Sequence, residues 1–266
     1  ILASDMLNLP VFKSLMKSHV PTLLYFHENQ FTYPWSKNDP DIELQRDKHY
    51  GFINYSSALI ADKILFNSQF HLNSFFHGMK KFLTQFPDYK GMKNIDLINS
   101  KSSVLYLGLD LKKFEKNNIN YNKSTHPIIL WNHRWEYDKN PELFFKTLKI
   151  ISKKNINFKL VIIGQDFNKQ NSVFNKAKTD LKKHIIQFGH VQSFDEYAEW
   201  LWKANIIPVT SNQDFFGASI MEAVFCNTIP LLPDRLSYPE LFDNKNNSNY
   251  FYSSNDKLTN KLEKLI

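Results

Sequence analysis

Short apolar runs alternate with longer amphipathic segments along this whole sequence. In the first half, the apolar runs predict strands at 22–26, 63–67 and 103–107. The amphipathic segments predict helices at 42–59 and 69–86. Such an alternation is typical of a parallel sheet that is covered by helices. We therefore predict an α/β fold.

A polar stretch rich in lysine and asparagine, KKFEKNNINYNKST, interrupts the alternation at 112–125. We interpret it as a linker between a first domain at 1–111 and a second domain at 126–266. The predicted strands of the second domain are 127–131, 159–163, 185–188, 206–209 and 228–232, and its predicted helices are 141–154, 173–182, 194–203 and 218–226. This regular succession predicts a doubly wound unit.

Apolar segments and cysteine usage indicate the cellular compartment of a protein and whether it inserts into a membrane. No stretch reaches the about 20 uncharged apolar residues of a membrane-spanning helix, and no leader-like segment is visible. The single cysteine, Cys226, lies in an apolar helical run and cannot form an internal disulfide. We expect a cytoplasmic protein without stable membrane insertion. Because the chain opens at Ile1 inside an apolar pattern, we also expect its N-terminal domain to be incomplete.

The formal net charge of +7 fits an anionic partner such as a nucleotide, a nucleic acid or a membrane surface, without choosing among them. Only three of the 33 basic residues are arginines, namely Arg46, Arg134 and Arg235. A guanidinium group binds phosphate through two parallel hydrogen bonds, which lysine does not reproduce. The few arginines are therefore candidates for phosphate binding.

Arg134 and Lys139 follow the first predicted strand of the second domain and precede a predicted helix. Open parallel sheets bind ligands at the carboxyl ends of their strands. Two cations on a loop that leads into a helix suit a diphosphate, because their charge adds to that of the unpaired N–H groups at the helix N-terminus. A solvated surface loop is the alternative explanation.

A segment that begins at Asp214 and ends at Glu222 follows another predicted strand and opens a predicted helix. Within it, Gly217 allows a phosphate to approach the backbone N–H groups of Ala218 and Ser219. The two carboxylates can accept hydrogen bonds from the hydroxyls of a hexose and a ribose. As alternatives, Asp214 caps the helix and Glu222 lies on a solvated helix face.

These two cations and two carboxylates resemble the donor site of the family 4 retaining glycosyltransferases, which have the GT-B fold of two Rossmann-like domains that face each other across a cleft. The resemblance implies that Arg134 and Lys139 contact the donor diphosphate. It also implies that Asp214 contacts the transferred sugar and that Glu222 contacts the ribose. The sequence departs from the family at Asp214, where the family usually has a glutamate.

Further donor-binding residues are implied by the same resemblance. The motif IIQFGHV ends near the place where the nucleotide base docks in the family, which implies roles for Gly189 and Val191. Phe216 and Gly217 form the turn between the two carboxylates, and Ala218 and Ser219 open the helix. The donor is a nucleotide sugar, and no metal or other cofactor is expected.

The motif HENQFTYP follows the predicted strand LLYF of the first half. Together with LSYPELF and WNHRWEYDKNP, it is similar to a branch of the family whose members transfer mannose from GDP-mannose to queuosine in a tRNA anticodon. This resemblance makes tRNA the expected partner. It places an acceptor site in the first domain, and the residues assigned to acceptor binding are Glu28, Asn29, Gln30 and Tyr33.

His27 begins this motif at a predicted strand end. His27 and Glu28 start like an HExxH zinc motif, but the fifth position is Phe31, so we predict no metal site. We predict that His27 joins Arg134, Lys139 and Asp214 as a catalytic residue, which binds the sugar or stabilises charge at the anomeric carbon. A structural histidine with internal partners is the alternative.

Three functions remain open on the sequence. The first is a retaining hexosyltransferase that acts on queuosine in tRNA. The second is a family 4 enzyme with a lipid or polysaccharide acceptor, for which a basic amphipathic helix at 69–86 is a candidate. The third is a non-catalytic nucleotide or RNA-binding module, which we would expect to lack Arg134, Lys139 or Glu222; all three are present.

Overall fold

The computed structural model describes residues 1–35, 41, 44, 47–118, 126–164 and 172–266. These residues form two compact units, Ile1–Leu107 and Gly108–Ile266. Each unit contains one parallel sheet with helices packed on it, which confirms the predicted α/β class.

The first unit has the strands β1 (Leu2–Ser4), β2 (Leu23–Phe26), β3 (Lys63–Phe66) and β4 (Ser102–Val104). Its helices are α1 (Leu9–Ser14), α2 (Asp47–Ile60), α3 (Gln69–Leu83) and α4 (Lys93–Ser100). The sheet order is β1-β2-β3-β4, and all pairs are parallel. In the core, the rings of Phe26 and Phe66 stack with centroids 5.0 Å apart, and Phe75 of α3 packs against both.

The second unit opens with a 3-10 helix, Leu111–Asn117. Its strands are β5 (Ile128–Trp131), β6 (Lys159–Ile163), β7 (Ile185–Gly189), β8 (Ile206–Pro208), β9 (Ile229–Pro233) and β10 (Phe251–Tyr252). Its α-helices are α5 (Pro141–Lys153), α6 (Ser172–Asp180), α7 (Phe194–Lys203), α8 (Ala218–Phe225), α9 (Tyr238–Leu241) and α10 (Asn255–Leu265). Two further 3-10 helices are Tyr137–Lys139 and Ser248–Tyr250.

The strands of the second unit are parallel and lie in the order β10-β9-β8-β5-β6-β7. The four residues of β5 are all buried, because alternate side chains enter the cores on both faces of the sheet. The chain reverses its direction of strand addition between β5 and β8, which pair at Ile129 and Ile206. In doubly wound sheets, the ligand crevice lies at such a point, beyond the carboxyl ends of the strands.

The predicted linker at 112–125 is corrected by the structure. Its first part belongs to the 3-10 helix Leu111–Asn117, whose Phe114 side chain is buried in a core of the second unit. Trp202 of α7 donates a hydrogen bond from Nε1 to the carbonyl of Phe114 over 3.0 Å. Ion pairs of Lys113 with Glu222 and of Lys116 with Asp195 also hold this segment on the second unit, and its polar composition did not indicate these contacts. Residues 119–125 lie outside the described residues.

The strands and helices predicted for the second domain are all present, and their ends differ by one or two residues at most. Of the predicted helix 42–59, the structure shows Asp47–Ile60, while residues 42, 43, 45 and 46 lie outside the described part of the chain. Several short or polar elements were not predicted, namely β1, α1, α4, α9, β10 and α10. For α10 the signals existed, since Ser254 caps its N-terminus and Leu258 and Leu262 are buried one turn apart. None of the described helices has the length and apolar character that crossing a membrane requires.

Candidate functional site

The loops that follow β5 and β8 meet in the second unit, as expected for neighbouring strands at the point of reversal. The hydroxyl of Thr210, after β8, donates to the carbonyls of Lys139 and Asn140 over 2.9 and 3.0 Å. The backbone N–H of Asn212 donates to the carbonyl of Asp138 over 2.7 Å. These bonds join two loops that are about 70 positions apart, so the predicted cations and carboxylates share one site.

Lys139 is the most enclosed positive charge of this site. Its side chain is 13% exposed, and its Nζ atom lies 3.1 Å from Oδ2 of Asp138 and 3.5 Å from Oδ2 of Asp214. Nζ also donates to the carbonyl of Gln213 over 3.0 Å. Burial lowers the pKa of Lys139, but the charges of Asp214 and Asp138 outweigh burial and raise the pKa above its usual value. The ammonium group is therefore held charged inside the protein.

Asp214 is fixed from several sides. Its Oδ2 atom accepts a hydrogen bond from the Tyr238 hydroxyl over 3.1 Å, and its Oδ1 atom accepts one from the Phe216 N–H over 3.3 Å. Burial, together with the charge of Asp214, holds the pKa of Tyr238 well above its usual value, so this hydroxyl stays protonated and donates. The side chain predicted to contact the sugar thus has three protein partners: Lys139, Tyr238 and Phe216.

Arg134 differs from Lys139 in its exposure. Its side chain is 53% exposed, and its Nη1 atom lies 3.4 Å from Oε1 of Glu136. Arg235 is used structurally, because its Nη2 atom donates to the carbonyl of Ser211 over 2.8 Å. Both arginines of the second unit are exposed, and Arg235 differs in that its Nη2 atom is bonded to the carbonyl of Ser211.

Gly217 precedes α8 in a left-handed conformation, with φ at +81°. A Cβ atom at this position would lie 3.2 Å from the Tyr238 ring, so both the backbone angle and the space favour glycine. Without a side chain, Gly217 cannot cap α8. The N–H groups of Ala218 and Ser219 open the helix without a side-chain cap from this position, and their contact with a donor phosphate stays a prediction.

His133 joins this site, although the sequence reasoning missed it. Its Nδ1 atom lies 3.2 Å from the Ser219 hydroxyl. Burial, followed by the positive charge of Lys139, lowers the pKa of His133 to about 3, so the imidazole is neutral at physiological pH. Asn132 supports the same turn of α8 by donating to the carbonyl of Ser219 over 2.8 Å. In the sequence, only the position of His133 next to Arg134 indicated that this histidine belongs to the site.

Glu222 lies on α8 and accepts a hydrogen bond from the Tyr197 hydroxyl over 2.8 Å. Burial and the charge of Glu222 raise the pKa of Tyr197 well above its usual value. The Nζ atom of Lys113 lies 3.8 Å from the other carboxylate oxygen. Glu222 is therefore oriented by Tyr197 of α7 and by Lys113 of the first 3-10 helix. It does not lie on a helix face that contacts only solvent.

A pocket of about 430 Å³ opens beside Tyr197 at the carboxyl ends of β5, β6 and β7. Its lining includes Asn132, Gly164 and Val191. Val191 therefore lines a cavity, as the prediction of a base-binding residue requires. Gly189 ends β7 just before this lining, with φ at +110°, and no atom of the described residues lies within 4 Å of an added Cβ.

In the first unit, His27 follows β2 and is paired with a carboxylate that the sequence reasoning did not identify. The His27 N–H donates to Oδ1 of Asp5 over 3.0 Å, and the ring Nδ1 lies 3.4 Å from the same oxygen. Asp5 is buried, whereas the His27 side chain is 56% exposed. Asn67 donates to the His27 carbonyl over 2.9 Å and bonds His71 through its Oδ1 atom.

The predicted acceptor residues beside His27 differ in their surroundings. Asn29 is fully buried, and its Oδ1 atom accepts from the backbone N–H groups of Phe31 and Thr32. This environment favours a structural role for Asn29, since its side chain holds the turn instead of facing solvent. Glu28 accepts a hydrogen bond from Gln30 over 2.8 Å, and both remain partly exposed.

Tyr33 ends the same turn, where its N–H lies 3.3 Å from the carbonyl of Asn29. The side chain of Tyr33 is half-buried. Gly78 of α3 permits the close approach of this turn, because an added Cβ there would lie 2.5 Å from that of Phe31. The predicted acceptor motif therefore forms a packed loop of the first unit.

Two family models match this chain. Residues 1–109 match the model described as tRNA-queuosine alpha-mannosyltransferase N-terminal, and residues 112–266 match the model described as glycosyl transferases group 1. The tRNA-queuosine alpha-mannosyltransferase of Drosophila melanogaster is 34% identical over 249 residues, which cover 90% of this chain and 63% of the fly protein. The chain thus spans less than two thirds of the length of that relative.

Solved glycosyltransferase structures share the fold over 99% of this chain. Sucrose-phosphate synthase from Thermosynechococcus elongatus has a TM-score of 0.69 at 15% identity, and 63% of it is covered. An alpha,alpha-trehalose-phosphate synthase from Burkholderia xenovorans has a TM-score of 0.67 at 10% identity, and 65% of it is covered. A glycosyltransferase from Rickettsia africae has a TM-score of 0.53 at 13% identity, and 86% of it is covered.

These likenesses confirm the predicted GT-B fold. The group 1 model covers more than half of the chain, and the predicted donor residues Arg134, Lys139 and Glu222 lie inside the matched range. With this match, and with an N-terminal part that matches the corresponding part of the tRNA-queuosine alpha-mannosyltransferases, the chain belongs to the glycosyl transferases group 1 family.

Proposed function

We propose that this protein is a retaining glycosyltransferase that moves mannose from GDP-mannose to queuosine in tRNA. The observation that carries the transfer reaction is the charged Lys139, which two carboxylates hold beside the N-terminus of α8. The acceptor and the hexose are supported by the match of residues 1–109 and by the name of the fly relative. A tRNA acceptor fits the expected cytoplasmic location.

The main catalytic task in this proposal is electrostatic. As the bond between mannose and the diphosphate breaks, negative charge builds up on the leaving diphosphate. Lys139, Arg134 and the N–H groups at the start of α8 stabilise that charge, so the reaction needs no metal. Because Asp138, Asp214 and the carbonyl of Gln213 hold the ammonium group of Lys139, little reorganisation is required during the reaction.

The donor nucleotide is held along the same sheet edge. Glu222 accepts hydrogen bonds from the ribose hydroxyls, and Tyr197 keeps the carboxylate oriented toward them. The base lies in the pocket lined by Val191 and Gly164. Asp214 positions Lys139 and the Phe216–Gly217 turn. Its carboxylate contacts the sugar through the oxygen lone pairs that are not used by these protein partners.

The acceptor hydroxyl attacks the anomeric carbon from the face on which the diphosphate leaves, and its proton passes to an oxygen of the leaving diphosphate. The configuration is thereby retained without a covalent enzyme intermediate. His27 stabilises the sugar during this step. Its ring is oriented by the buried Asp5, which faces Nδ1 and leaves Nε2 turned away from the carboxylate. A carboxylate that faces one ring nitrogen fixes the orientation of an imidazole in this way.

A lipid acceptor is the main alternative within the family, and helix α3 was its candidate membrane contact. Lys80 and Lys81 lie in the last turn of this helix. Its apolar residues Phe75, Met79 and Phe82, however, are buried in the core of the first unit. A helix that uses its apolar face for its own core does not offer that face to a bilayer. This observation favours tRNA over a lipid acceptor.

The proposal is tested by incubating the purified protein with radiolabelled GDP-mannose and queuosine-containing tRNA. We expect label in the tRNA, but none with UDP-sugars or with tRNA that lacks queuosine. Analysis of the released nucleoside then gives the anomeric configuration, which should match that of the donor. If the label never enters tRNA while GDP-mannose is bound, the acceptor assignment is wrong. If GDP-mannose is not bound either, the donor assignment is wrong as well.

A further inference from the structure

A groove of about 580 Å³ lies between α5 and α6, away from the residues assigned to the donor. Four lysines line it: Lys146, Lys149 and Lys153 from α5, and Lys176 from α6. We call this set the lysine groove. Its lining includes a single carboxylate among the described residues, that of Glu142.

The lysine groove carries an excess of positive charge. Lys149 forms an ion pair with Asp180 at the end of α6. Lys146, Lys153 and Lys176 are exposed, and none of them has an ion-pair partner within 4 Å in the part of the chain that the structure describes. Lysines without such partners can neutralise the phosphates of an incoming nucleic acid, which then releases the cations condensed on its backbone.

The geometry of the groove arranges these charges in a row. Lys146, Lys149 and Lys153 recur at intervals of three and four residues, so they share one face of α5. The row extends about 10 Å along the helix axis. Phe145 and Val173 supply apolar surface below it, on which lysine stems can pack while their ammonium groups stay in water. A row of ammonium groups over an apolar floor suits a string of phosphates.

We propose that the lysine groove binds the phosphate backbone of the RNA acceptor. The proposal rests on the proposed function, because that function makes tRNA the acceptor. A concave groove fits a backbone ridge better than it fits the flat surface of an anionic membrane. Contacts to phosphates position an RNA without reading its sequence, so this surface would orient the tRNA while recognition of queuosine takes place elsewhere.

The test compares two triple variants that remove the same charge. One combines Lys146→Ala, Lys153→Ala and Lys176→Ala. The control combines Lys182→Ala, Lys183→Ala and Lys245→Ala, which remove exposed lysines outside the groove. Binding of unmodified tRNA is measured by fluorescence anisotropy between low and physiological salt, and melting curves check that both variants are folded.

We expect the groove variant to bind tRNA about tenfold or more weakly, with a salt dependence of log K reduced by about two, since each lost phosphate contact lowers the slope by about 0.7 to 0.9. The control keeps the wild-type affinity and slope. In the transfer reaction, the groove variant should raise KM for tRNA while kcat and the Kd for GDP-mannose stay unchanged. Equal tRNA binding by the two triple variants would overturn the proposal.

Two further outcomes separate this inference from the proposed function. If the groove variant transfers mannose with a wild-type KM for tRNA, the groove assignment is wrong and the function stands. If tRNA binding depends on the groove but no mannose reaches queuosine tRNA, the groove binds RNA and the proposed function is wrong. Loss of binding to phosphatidylserine vesicles, with tRNA binding unchanged, would replace the RNA by a membrane surface.

Discussion

The Nζ atom of Lys139 lies 3.5 Å from Oδ2 of Asp214, although the two residues are 75 positions apart in the sequence. The same oxygen accepts the Tyr238 hydroxyl over 3.1 Å. Asp138, the neighbour of Lys139, supplies a second carboxylate at 3.1 Å. One buried positive charge is thereby fixed by groups from the loops after β5 and β8 and from α9.

Replacement of Lys139 by methionine keeps much of the volume and removes the charge. We expect the free energy of unfolding to fall by about 3 kcal/mol, because Asp138 and Asp214 then lose their buried counter-charge. We also expect kcat/KM to fall at least about a hundredfold, as for the loss of a charge-stabilising group. Urea unfolding and steady-state kinetics measure the two effects.

The double variant Lys139→Met, Asp214→Asn is the control for this change. It removes one of the uncompensated carboxylates, so part of the lost stability should return while activity stays low. A Lys139→Met protein with wild-type kcat/KM would contradict the placement of the donor diphosphate beside Lys139.

Tyr238→Phe removes the hydroxyl that donates to Asp214 but keeps the ring that packs beside Gly217. A hydrogen bond to a charged group contributes about 1.5 to 3 kcal/mol, so we expect a stability loss of that order. We also expect kcat to fall about tenfold. This corresponds to a rise of about 1.4 kcal/mol in the activation free energy of the reaction. Tyr250→Phe, at a surface position, should change neither quantity. Equal behaviour of the two variants would show that Tyr238 does not position Asp214.

Alanine substitutions of the two arginines of the second unit should affect different properties, namely activity for Arg134 and stability for Arg235. Arg134→Ala should lower kcat/KM by about one to several powers of ten with little change in Tm, because this exposed side chain contacts the diphosphate. Arg235→Ala should lower Tm, because it removes the donor to the Ser211 carbonyl. Kinetics and differential scanning fluorimetry distinguish the two. Full activity of Arg134→Ala would remove Arg134 from the donor site.

His133 should make stability depend on pH. Burial and the charge of Lys139 lower its pKa to about 3, whereas an unfolded histidine titrates near about 6.5. Between these values only the unfolded chain binds the proton. The free energy of unfolding therefore decreases as the pH falls below about 6.5, by up to about 1.4 kcal/mol per pH unit for this group.

His71 contributes in the same direction, since burial, followed by the charge of His27, lowers its pKa to about 3. Urea unfolding between pH 4 and 7 measures the combined slope, and His133→Gln should remove the contribution of His133. NMR of the imidazole protons provides a direct check. A His133 resonance that titrates near pH 6.5 in the folded protein would contradict this expectation.

The sequence by itself determined the α/β class and most elements of the second unit. The buried strands read as continuous apolar runs, and the helices between them carry amphipathic patterns, so local composition was sufficient. The sequence also indicated Arg134, Lys139, Gly217 and Glu222 as candidate donor-site residues. Charged residues and glycines in segments that follow a parallel strand have few structural explanations. The polar stretch at 112–125 misled the prediction, since the burial of Phe114 depends on Trp202 and its neighbours, which lie far along the chain.

Only the tertiary structure decided which groups act together. Asp138 holds the charge of Lys139, Tyr238 holds Asp214, and Asp5 faces His27, yet no spacing in the sequence pairs Tyr238 with Asp214 or Asp5 with His27. The physical reason is that the loops at the carboxyl ends of neighbouring parallel strands come from distant parts of the chain. Their hydrogen bonds and the pKa shifts that burial produces exist only once β5 and β8, or β1 and β2, lie side by side.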